Sequence, residues 1–124
     1  MVKLWLVSAA ISGFLSVALG AFGAHALKGF LNDYGRTVYE KATNYQMFHT
    51  IALLGLGILQ HNLKELSFSP AGWGFLTGII IFSGSLYLLA LTGIRWLGAV
   101  TPIGGMAFLF GWGWLAYVLV RARF

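Results

Sequence analysis

Charged residues divide this chain into long silent intervals. No Asp, Glu, Lys or Arg occurs from Leu4 to Leu27, Ala42 to Leu63, Leu66 to Ile94, or Trp96 to Val120. A helix needs about 20 predominantly apolar residues to cross a hydrocarbon core about 30 Å thick, so each interval spans once and none spans twice. The pattern predicts four membrane spans, roughly 4–27, 43–63, 70–92 and 96–120, within a single transmembrane domain over 1–124. The intervals are apolar all round and lack the ten-residue alternation of barrel strands. The expected fold class is therefore all-α, an integral membrane four-helix bundle.

Between the first two spans the pattern changes. Leu31, Tyr34, Val38, Ala42 and Tyr45 recur at steps of three and four, with Asp33, Arg36, Glu40 and Asn44 on another face. That periodicity predicts an interfacial amphipathic helical segment leading into span two. Gly35 weakens its first turn, so Asn32 or Asp33 is a candidate cap for a helix starting near Arg36. The first interval also resembles a signal sequence, with Lys3 before it and Ala24-His25-Ala26 as a small-residue site. Its apolar stretch exceeds the 7 to 15 residues of a signal core, and a retained span is the expectation.

Composition sharpens this picture. Apolar residues make up 59% of the 124 and charged residues 9%, against about 25% charged in an average soluble domain. The formal charge of +5 would suggest nucleic acid in a soluble chain; here eight scattered cations flank the spans, as anchoring at anionic headgroups requires. Membrane lipids, and no nucleic acid, are the expected partners. Cysteine is absent, which excludes disulfides, thiolate nucleophiles and Cys-based metal sites. Four spans put both termini on one side. The cations divide evenly between the faces, and the tail Arg121-Ala122-Arg123-Phe124, with no acid beside it, favours cytoplasmic termini.

Helices in lipid associate through small residues and a few polar contacts. Ser8, Ser12, Ser16, Gly20 and Ala24 recur every four residues on span one; Gly74 and Gly78 form a GxxxG on span three, and Ala107 and Gly111 a weaker version on span four. Thr101-Pro102-Ile103-Gly104-Gly105 reads either as a broken helix of the transporter kind or as an early-turn proline followed by glycines for close packing. Trp5, Trp73, Trp96, Trp112 and Trp114 fall mostly near span ends, where indoles favour the headgroup region.

Antiparallel spans would gather the polar residues at one face. His25 lies three residues inside Lys28, while Gln46 and His49 lie five and eight inside Lys41, so depths of about 4.5, 7 and 12 Å follow from 1.5 Å per residue. Tyr45, Gln46 and His49 sit one helical step apart, and Thr101 opens span four at a matching depth. Several readings compete. The set is a structural network fixing helix register, or a pocket for an amphipathic molecule or lipid headgroup lined by His25, Tyr45, Gln46, His49 and Thr101 with Arg95 at its mouth. Two histidines could ligate haem axially, yet no third ligand or supporting carboxylate accompanies them. A proton path would lack any membrane carboxylate. No nucleophile and base pair points to an enzyme, and no cofactor or metal is expected.

Some of these segments are recognisable. Gly20-Ala21-Phe22-Gly23-Ala24-His25-Ala26-Leu27, Tyr45-Gln46-Met47-Phe48-His49, Phe82-Ser83-Gly84-Ser85-Leu86-Tyr87 and Thr101-Pro102-Ile103-Gly104-Gly105, in that order, resemble the YgdD/YwdK-like family of small bacterial inner-membrane proteins. The resemblance implies a four-span protein of the bacterial inner membrane whose biochemical role is not established, and it assigns no catalytic residue. A lipid or small amphipathic ligand in the polar pocket is the leading expectation. The alternatives are an accessory subunit of a larger membrane complex, a homo-oligomer among them, and a small transporter or channel.

Overall fold

A computed structural model describes all residues 1–124. It is all-helical: α1 (Val2–His25), α2 (Asp33–Asn62), α3 (Ser69–Thr92) and α4 (Leu97–Arg121). Three of these, α1, α3 and α4, are long and apolar enough to cross a membrane. α2 is the longest at 30 residues, but Asn44, Gln46, His49 and Gln60 interrupt its apolar run.

Local sequence explains the helix ends. Asn32 caps α2, its Oδ1 accepting from the Gly35 N–H at 2.7 Å. Between α2 and α3, the Gln60 amide donates to Leu66 O and accepts from the Phe68 N–H, which folds the intervening turn back on α2. α3 ends at Gly93, whose φ of +72° is the left-handed stop that glycine provides at least cost. Asp33 to Ala42 are the first turns of α2 itself, so the amphipathic stretch is not a separate interfacial segment. Its apolar positions Val38 and Ala42 are buried and its charged positions exposed.

The helices pack in chain order, α1 on α2, α2 on α3 and α3 on α4. The most apolar stretch of α3 is accordingly 44% buried, against 22% in α1 and α4. Two side chains fill the wider gaps. The Trp5 indole covers Gly72 and meets Trp73 edge-on at 5.2 Å, linking α1 to α3. His49 stacks on Phe108 with ring centroids 3.5 Å apart, linking α2 to α4.

Small residues set the tight crossings. A Cβ on Gly74 would stand 2.8 Å from Ala107 O, and one on Gly104 would stand 2.3 Å from Phe82 N. Gly78 lies under the Phe108 ring and Gly111 against Phe75. Phe82 belongs to a π-helical turn, Ile79–Ser83, that interrupts α3 opposite Gly104. Gly105, by contrast, has nothing nearer than 3.8 Å and is not a packing glycine. On α1 the four-residue repeat does not hold as a stripe, because a step of four over-rotates by about 40° on a 3.6-residue helix. The buried edge runs through Trp5, Ala9, Ser12 and Ser16, with Gly20 and Gly23 against Thr43 and Tyr39; Ala24 is exposed.

Adding one methyl should therefore separate neighbouring glycines. Gly104→Ala is expected to cost about 1–3 kcal/mol by overpacking against backbone, and Gly105→Ala to be near neutral, in thermal unfolding followed by circular dichroism in mild detergent. Equal stabilities would contradict the α3–α4 crossing described.

Candidate functional site

The polar residues divide among several places. Gln46 is 4% exposed and lies 13 residues beyond Asp33, so about 20 Å along α2, near the middle of that helix. α2 begins eight residues before Lys41, at Asp33, and carries the exposed charges Asp33, Arg36, Glu40 and Lys41 on its first turns. The Gln46 Nε2 donates to Ser12 O and Ser12 Oγ, both at 3.3 Å, and its Oε1 accepts from the Tyr87 hydroxyl at 2.6 Å. One amide thus joins α1, α2 and α3. Around it, Ser12 Oγ pairs with Thr50 Oγ1 at 2.6 Å, Ser16 Oγ donates to Ser12 O, and Ser83 Oγ donates to Ala42 O at 2.8 Å.

His49 is equally committed. Its Nδ1 lies 2.8 Å from Tyr45 O, and its Nε2 lies 2.9 Å from the Trp112 indole Nε1. A carbonyl only accepts and an indole only donates, so the ring must be the neutral Nδ1–H tautomer with both nitrogens used. No lone pair remains for a metal or a ligand. Thr101 is occupied as well, pairing with Ser85 Oγ at 2.6 Å across the α3–α4 interface.

The structure does not bring His25 to His49. His25 is exposed at the end of α1 and lines a cavity of about 620 Å³ between α1 and the first turns of α2. Gly20 and Gly23 line it on the α1 side, Tyr39 and Thr43 on the α2 side, and Lys28, Arg36 and Glu40 stand around it. The Tyr39 hydroxyl donates to Leu19 O, holding the two helices together here. Arg36 donates from Nη2 to Lys28 O at 3.2 Å and lies 3.9 Å from Asp33 in a loose surface pair. Arg95 is elsewhere, exposed, 5.8 Å from the centroid of the Tyr34 ring. Tyr45 lines a third place, an apolar groove between α2 and α4.

Five residues that complete this arrangement are given no place in the polar set by sequence: Trp112, Tyr87, Thr43, Thr50 and Ser83. Trp112 reads as an interfacial indole, yet it lies at the sixteenth of the 25 residues of α4 and hydrogen-bonds across the bundle. Tyr87 could have been paired with Gln46 only through the α2–α3 register, which periodicity does not supply. No group of three or more His, Asp or Glu side chains is placed to hold a metal ion.

A family model described as a protein of unknown function (DUF423) matches residues 19–105, most of the chain. The chain belongs to the DUF423 family. It is 40% identical over 120 residues to the UPF0382 membrane protein YwdK of Bacillus subtilis, covering 96% of this chain and 98% of that one. A UPF0382 membrane protein of Staphylococcus haemolyticus is 48% identical over 110 residues, 89% of each chain, and one of Staphylococcus aureus strain RF122 is 47% identical over the same shares. The relatives are named as membrane proteins, in agreement with the apolar helices. No solved structure matches the chain. The DUF423 match includes Gly20, His25, Gln46, His49 and Tyr87 but stops before Trp112.

Removing the central amide should loosen three helices together. Interhelical hydrogen bonds in membranes average about 0.6 kcal/mol, so Gln46→Leu, which breaks three and leaves the Tyr87 hydroxyl only Thr43 Oγ1 at 3.2 Å, is expected to lose about 2 kcal/mol. Unfolding by dodecyl sulfate in mixed micelles measures it, and an unchanged midpoint would show the amide to be idle.

Proposed function

We propose that this DUF423 protein is a four-span inner-membrane protein that holds a phospholipid headgroup in the cavity between the end of α1 and the start of α2. α2 would cross with the others, its internal amides satisfied by neighbours rather than by water, and both termini would then share the cytoplasmic side. The observation that carries the reading is the cavity itself: about 620 Å³, with Lys28, Arg36 and His25 around it and Glu40 as its one carboxylate. Cations at that position meet the phosphates of a headgroup layer. Lys28 Nζ makes no hydrogen bond within the chain, and Arg36 donates once, to a carbonyl, so most of their donors are free for phosphate oxygens.

This reading revises the site proposed from sequence. His25 stays in it, whereas Gln46, His49 and Thr101 serve the bundle and Arg95 lies apart with Tyr34. The central serines and threonines are bonded to one another or to backbone carbonyls, which argues against a transporter or channel built within one copy.

Native mass spectrometry after extraction in a mild detergent tests it. The wild type is expected to carry one phospholipid that is largely lost in Lys28→Ala/Arg36→Ala, while Lys64→Ala, at the other face, keeps it. Equal lipid retention in all three would refute the cavity as a lipid site, and a stoichiometric protein partner in its place would transfer the cavity to assembly.

A further inference from the structure

On the opposite flank of α2 from the basic cavity lies a groove of about 720 Å³ between α2 and α4. That volume falls within the roughly 300–1,000 Å³ of small-ligand sites, which are mostly apolar with a few placed polar groups. Its inner wall is aromatic and nearly layered. Tyr45 stacks on Phe82 at 4.6 Å with planes 30° apart, and His49 stacks on Phe108 at 3.5 Å and 11°. Trp112 closes the deep end, fixed by its bond to His49.

Three local features create the space. The π-helical turn Ile79–Ser83 carries Phe82, one of the wall residues. Gly104 lets α4 sit directly on the Phe82 backbone, and Gly105, one residue on, leaves the groove open because it has no side chain to fill it. Pro102 lies at the end nearer the α3–α4 turn, beside Asn44 and Tyr45.

The polarity of the groove runs one way. Neither the Asn44 amide nor the Tyr45 hydroxyl hydrogen-bonds within the chain, as side-chain bonds elsewhere on α2 do, and both are exposed at the Pro102 end. The deeper end holds Met106, Leu109 and Trp112, whose single donor is already used. Hydrogen-bonding groups in an apolar groove select a ligand that supplies partners to them. A flat occupant that dissolves in the bilayer and places oxygen acceptors against the amide and the phenol fits these walls.

We infer that the α2–α4 groove binds the ring of a lipid-soluble quinone, with Asn44 and Tyr45 donating to its carbonyl oxygens and its apolar tail leaving along Met106 and Leu109. A plain acyl chain has no flat face to lay against the aromatic wall. The site overlaps the headgroup cavity at Asn44 alone and uses no cation.

The test uses the full chain in nanodiscs of phosphatidylethanolamine and phosphatidylglycerol, titrated with a decyl-benzoquinone and read by tryptophan quenching, to which Trp112 contributes from the groove wall. The wild type should quench saturably. Gly105→Leu, which fills the groove, should weaken binding at least about tenfold, and Tyr45→Phe, which keeps the ring but removes one hydrogen bond, about fivefold. Gly105→Ala should bind like the wild type and controls for folding, with circular dichroism of each variant. Quenching that does not saturate, that is unaltered in Gly105→Leu, or that decanol suppresses as well as the quinone does would overturn the assignment. A concentration-dependent dimer broken by Gly105→Leu, without quinone binding, would assign the groove to a second copy instead. Loss of quinone binding in Lys28→Ala/Arg36→Ala would likewise refute a separate site.

Discussion

The fold turns on one amide. In a bilayer, apolar side chains gain nothing by leaving lipid for one another, so helices need close backbone contact or polar bonds to stay together. Gln46 supplies the second kind at the middle of α2, donating to Ser12 on α1 and accepting from Tyr87 on α3. His49, one turn further, does the same towards Trp112 on α4. Between them these two residues tie α2 to every other helix. That helix is the least apolar of the four because it carries the bonds that hold them.

Close contact supplies the other kind of cohesion, and it acts where the polar bonds do not. The α3–α4 crossing is made by Gly74, Gly78, Gly104 and Gly111 against backbone and aromatic faces. Near one end of it, Ser85 and Thr101 add a hydroxyl pair. Where the helices diverge, large side chains bridge them. Trp5 does so with its indole N–H buried and unpaired, the one polar group in the bundle that does so. Cavities remain beside some of these bridges. The two discussed here lie on either side of α2 and differ in character: basic between α1 and α2, aromatic between α2 and α4.

Much of this is legible in the sequence alone. The charge-free intervals located α1, α3 and α4 to within a few residues, because composition alone decides what a bilayer accepts. Asn32 was one of two cap candidates, for a helix expected to start near Arg36 rather than at Asp33, and the Gly74 pair followed from its spacing. Periodicity could not show that the segment from Asp33 runs unbroken into α2. Nor could it supply the inter-helix register that joins His49 to Trp112 or leaves His25 in a different cavity. Ser8 to Ala24 looked like a stripe only because four is near 3.6. Composition marked the polar residues as unusual; only packing separates those that bind each other from those left free.

The central claim is that His49 is a structural pin, with both ring nitrogens engaged. Nitrogen NMR of histidine-labelled protein in nanodiscs at neutral pH reads this directly. The account predicts a neutral ring protonated at Nδ1, with Nε2 showing a coupling to the Trp112 indole proton across their hydrogen bond. A ring protonated at Nε2, or an imidazolium with Trp112 unbonded, would return His49 to the residues available for ligand or proton and would contradict the arrangement described.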